Sequence, residues 1–107
     1  MTDFNDRRRA EEAKAAMDEE MLFRITARRN RLVGEWAAGL MNLSDVETEA
    51  YKKAVVQADF EEAGDEDVIR KVLGDLTSAG VDADDAKVRA ALEEKMIEAR
   101  RQLMSES

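Results

Sequence analysis

Met41-Asn42-Leu43-Ser44-Asp45-Val46-Glu47 ends one helix and begins the next, and the fold follows from reading it that way. Met41-Asn42-Leu43 reads as a turn. Ser44 and Glu47 then stand three residues apart, the spacing of a capping box. In that motif the serine hydroxyl accepts a backbone N–H of the first turn, and the glutamate reaches back to the serine N–H. Ahead of the turn, residues 19–40 place Leu22, Ile25, Leu32, Trp36 and Leu40 at helical spacing, which predicts one apolar face. Beyond it, Val46, Ala50, Ala54 and Ala58, flanked by Tyr51 and Val55, predict a second helix reaching about residue 60.

Two more helices follow. Glu61-Glu62-Ala63-Gly64 breaks the pattern, and Asp65-Glu66-Asp67 supplies a cap and two first-turn acids that suit the positive end of a helix dipole. Val68, Ile69, Val72, Leu73 and Leu76 form the third stripe, and Gly80 reads as its stop. Asp82 is the expected cap of the last helix. Its stripe is Val88, Leu92, Met96, Ala99 and Leu103, with Arg100 and Arg101 placed late to favour the dipole. Short connections between four helices predict an all-α, largely antiparallel four-helix bundle over residues 19–107. No repeat or sustained heptad pattern argues for a long coiled coil.

Residues 1–18 differ from the rest. They carry Asp3, Asp6, Arg7, Arg8, Arg9, Glu11, Glu12, Lys14 and Asp18, and their large apolar residues are Met1, Phe4 and Met17. Helix formers without a broad apolar face gain little from packing. The expectation is a mobile, helix-prone N-terminal arm with a narrow seam of Phe4, Ala10, Ala13 and Met17 between charges. Such an arm is either a solvated end or a helix that docks into a partner's groove.

Composition narrows the function. The 107 residues fit one domain, and 39% are charged. A net charge of −8 disfavours nucleic acid, whose phosphates require a basic footprint. There is no cysteine and no histidine, so thiolate chemistry and the commonest general base and metal ligand are missing, and no enzyme is expected. No stretch of about 20 apolar residues would span a membrane, and residues 1–4 lack the features of a secretory signal. The expected location is the cytoplasm. Two acidic segments begin like calcium loops but place Ala63 and Ala86 at position five. The first also has Arg70 where a bidentate glutamate is needed, and the second has Lys87 in place of the turn glycine, so no metal site is expected. Arg24, Arg28, Arg29 and Arg31 form a dense cluster for so acidic a chain. They either pair with acidic helix ends across the bundle or meet a ligand, and weak binding of ATP or ADP in a small helical sensor module is the alternative functional reading.

Phe4-Asn5-Asp6-Arg7, Glu12-Ala13-Lys14, the run from Ala27-Arg28-Arg29-Asn30-Arg31-Leu32 to Trp36-Ala37-Ala38, and Ala58-Asp59-Phe60-Glu61-Glu62-Ala63-Gly64-Asp65-Glu66-Asp67-Val68 follow in order. Together they strongly resemble the zeta subunit family of α-proteobacterial F-type ATP synthases, over nearly the whole chain. The resemblance implies an inhibitory subunit, monomeric when free, that binds the α, β and γ subunits of the catalytic head. It would lie peripheral to the inner membrane through the synthase. Residues 1–18, with Phe4, Asp6, Arg7, Arg8, Arg9, Ala10, Ala13, Lys14 and Met17, would wedge between α and β near the rotor and block hydrolysis. The family often has an aromatic where this chain has Ala15, and a histidine where it has Met17. The first departure removes an anchor of the type that often dominates interfaces, and the second removes a pH-sensitive group.

Overall fold

The computed structural model describes the backbone of residues 3–60 and 64–106, and the side chains of residues 18–60 and 64–106. It contains four helices: α1 (Asp3–Leu40), α2 (Asp45–Ala58), α3 (Glu66–Ser78) and α4 (Asp85–Glu106). α1 and α3 each pack against all three other helices, while α2 and α4 lie apart. The core between them holds Val33 and Ala37 of α1, Val55 of α2, Val68, Ile69, Val72 and Leu76 of α3, and Val88 and Leu92 of α4. Trp36, Met41, Tyr51 and Leu73 pack around it, partly buried. Among the described residues there is no strand, and no helix is long and apolar enough to cross a membrane.

The first turn forms as its residues dictate. α1 ends with Asn42 at φ 58°, a left-handed position that asparagine tolerates better than most residues. Asn42 N–H donates to Gly39 C=O and Leu43 N–H to Ala38 C=O, the paired bonds of a Schellman stop. Ser44 Oγ then accepts from Glu47 N–H at 3.2 Å, and Ser44 N–H donates to the Glu47 carboxylate at 2.9 Å. The same stop recurs after α3, where Gly80 lies at φ 78° and Val81 N–H donates to Leu76 C=O.

Several details depart from the sequence-based expectations. Leu22 and Leu40 are exposed on α1, and its buried residues are Arg29, Asn30, Val33, Gly34, Ala37 and Ala38. The reason is close approach: a Cβ on Gly34 would lie 2.9 Å from Lys52 Cα, so α2 seats against the small-residue face. That seating turns α2 as well. Val46 and Ala50 face solvent, and Tyr51, Val55 and Ala58 point inward. Asp84, not Asp82, caps α4: its carboxylate accepts Lys87 N–H at 2.8 Å and its C=O accepts Val88 N–H. α4 continues to Glu106, so Arg100 and Arg101 fall before its last turn, which has no basic residue. Asp65 precedes α3 but makes no side-chain cap; its carboxylate is engaged elsewhere.

Tyr51 packs against the core from α2. Its hydroxyl donates to Asp75 Oδ2 at 2.8 Å, and Lys71 donates to the same oxygen while lying over the ring. Burial, and then the neighbouring Asp75 carboxylate, raise the phenol well above its usual range.

Candidate functional site

Residues 25–28 of α1 are still half-buried, and below Ile25 the helix leaves the bundle. α2 runs antiparallel to it, so Phe60, just past the end of α2, meets Phe23 with ring centroids 5.9 Å apart and planes inclined by 25°. The last turn of α4 meets α1 at Arg28, whose guanidinium donates to both Glu106 carboxylate oxygens, at 2.7 and 3.3 Å, and to Gln102 Oε1. That pairing, aided by the charge of Arg24, holds the Glu106 carboxyl below the usual carboxylate range. Every side chain from Asp18 to Arg24 is exposed, and the α1 backbone continues as helix to Asp3. Phe4, Asp6, Arg7, Arg8, Arg9, Ala10, Ala13, Lys14 and Met17 lie on that continuation. Their side chains are outside the described residues.

The arginine cluster does not converge on one point. Arg29 is buried, and its Nε and Nη2 both donate to Asn30 Oδ1 at 3.0 and 2.9 Å. Its Nη2 also meets Asp65 Oδ1 at 2.9 Å, which is where the unused cap carboxylate goes. Asn30, also buried, donates its amide to Asp59 Oδ2 at 3.0 Å. Two neighbouring side chains of α1 therefore hold the carboxylates on both sides of the α2–α3 connection. Arg31 pairs with Glu49 of α2 at 3.6 Å. Arg24 stays exposed at the exit of α1.

Comparison with known proteins gives a family and a fold. The family model for ATPase inhibitor subunit zeta matches residues 1–102. The chain belongs to the ATPase inhibitor subunit zeta family. A solved chain, described as a solution NMR structure, is 50% identical to it and superposes with a TM-score of 0.73. The match covers 81% of this chain and 99% of that one. No curated protein matches.

As a zeta-family chain, the protein carries an all-α body from which α1 extends. Among the residues that sequence reasoning passed over are Phe23 and Phe60, 57% and 63% exposed, and the Asn30–Asp59 bond. The stripe through Leu22 and Ile25 drew attention to one face of α1. The available signal was Met21-Leu22-Phe23 itself, three consecutive large apolar residues that no single helix face can bury. The pairing of Arg29 with Asp65 could be read only in part, as one of several acidic helix ends open to the cluster.

Proposed function

We propose that this chain suppresses ATP hydrolysis by the F-type ATP synthase by docking residues 1–18 at the catalytic α/β interface near the γ rotor. The body, residues 19–107, holds that segment in place, and the free protein is a monomer. The observation that carries this reading is that α1 continues as helix to Asp3 beyond the exposed stretch at Asp18–Arg24. Family membership supplies the ATPase as target. A segment already helical before docking avoids much of the roughly 2–5 kcal/mol that ordering on binding costs. The guanidinium groups of Arg7, Arg8 and Arg9 would pair with carboxylates of the head, an interaction that strengthens in a desolvated cleft when both partners are satisfied.

The alternative, an ATP or ADP site at Arg24, Arg28, Arg29 and Arg31, needs those groups to converge on phosphate. Pairing of Arg28, Arg29 and Arg31 with Glu106, Asp65 and Glu49 weighs against it.

ATP hydrolysis by the cognate head distinguishes the readings. The full chain is expected to inhibit. A chain starting at Glu19 is expected to lose inhibition while giving the same bundle resonances by NMR. Equal inhibition by the two would place the effector in the body and overturn the assignment of residues 1–18.

A further inference from the structure

α1 leaves the bundle carrying Met21, Leu22 and Phe23, which are 41%, 51% and 57% exposed. At 3.6 residues per turn these three side chains point in directions about 100° apart, so together they cover more than half of the helix circumference. A helix that is apolar over so much of its girth is normally surrounded by other atoms. Packing against α2 accounts for one direction only, because Phe23 stacks on Phe60 and both rings remain more than half exposed. Phe60 belongs to the body, lying just past α2. The apolar zone therefore spans the junction of arm and body.

Resting on the reading above, we infer that the docking surface does not stop at residue 18: Met21, Leu22, Phe23 and Phe60 form a second contact that seats against an apolar cleft of the ATP synthase head. The same helix that carries the arm carries this patch, so any partner that receives the arm lies directly beside it. The two rings already stack on each other before binding. Their exposed faces offer aromatic area of the kind that anchors interfaces. Arg24, exposed between Phe23 and Ile25, gives the rim a cation for an acidic wall of the cleft.

The test uses the full chain and the cognate head. Phe60→Ala and Leu22→Gln are expected each to raise the concentration giving half-maximal inhibition by tenfold or more, with Tm and helical content retained. Val46→Gln, at an 82% exposed site away from the patch, is the control and is expected to inhibit as the parent does. If the parent inhibits and both patch variants inhibit equally well, the second contact is wrong while the arm assignment survives. If the parent itself does not inhibit, the underlying reading fails. Sedimentation distinguishes the remaining occupant: a parent dimer that Phe60→Ala converts to monomer, with inhibition intact, would assign the patch to a second copy and overturn the inference.

Discussion

Gly34 shows how one missing methyl sets the spacing of two helices. Its would-be Cβ lies 2.9 Å from Lys52 Cα and 3.4 Å from Val55 Cγ2, and the first of these is backbone that cannot rotate away. Gly39, five residues on, has nothing within 4 Å of the same position. The two glycines should respond to alanine with opposite signs. At Gly39 the gain in helix propensity raises stability by about 0.5–1 kcal/mol. At Gly34 the same gain is outweighed by overpacking of about 1–3 kcal/mol. Urea denaturation of the two single variants checks this, and a stabilised Gly34→Ala would mean that α1 and α2 can separate at little cost. The small side chain here was visible in the sequence. What it packs against was not, since Lys52 arrives from another helix.

The start of α2 is set by local chemistry that the sequence displays. Ser44→Ala removes the hydroxyl that accepts Glu47 N–H, and should lower stability by about 1 kcal/mol with fraying confined to the start of α2. Hydrogen exchange across residues 45–49 reports that fraying. Glu47 adds a pH dependence. The Ser44 backbone N–H, and then its side chain, hold the Glu47 carboxyl below its ordinary value. The stabilising effect is therefore fully present above the ordinary carboxylate pKa of about 4.3 and is lost as pH falls through the lowered folded value. An NMR titration of the Glu47 carboxyl should place its midpoint below that of Glu47 in a Ser44→Ala variant. Elsewhere the local signals left a choice. Asp82, Asp84 and Asp85 all can cap, and Asp84 is selected because Val81 and Ala83 pack against the core and fix where the chain turns into α4.

The long dimension of the molecule, 66 Å against 26 and 21 Å, follows from α1, whose 38 residues measure about 57 Å at the α-helical rise. Along that rod, Arg29 and Asn30 fasten the α2–α3 connection from both sides. Arg29 is 5% exposed, and removing it strands the Oδ1 of Asn30, which is 1% exposed. Asp65 is half-exposed, so water shares its charge and moderates the effect. Arg29→Met is expected to cost roughly 1.5–3 kcal/mol, the range for hydrogen bonds to a charged group, and to loosen the start of α3 before the rest of the bundle. Urea denaturation and hydrogen exchange at residues 66–70 measure both effects. A fully stable variant would show that the α2–α3 connection is held by the apolar core alone.

The sequence by itself determined four helices, the turn at Met41-Asn42-Leu43, the cap at Ser44, the stripes of α3 and α4, and the family. The family rests on motifs spread over nearly the whole chain, and the others on neighbours within four or five residues, where caps, turns and helical periodicity act. The tertiary structure decided which face of α1 and α2 turns inward, where Asp65 spends its charge, and that Phe23 meets Phe60. Those outcomes depend on helices brought together from distant parts of the chain. Close packing at Gly34 sets the rotation of both helices, and a side chain's own neighbours in sequence carry no record of that contact.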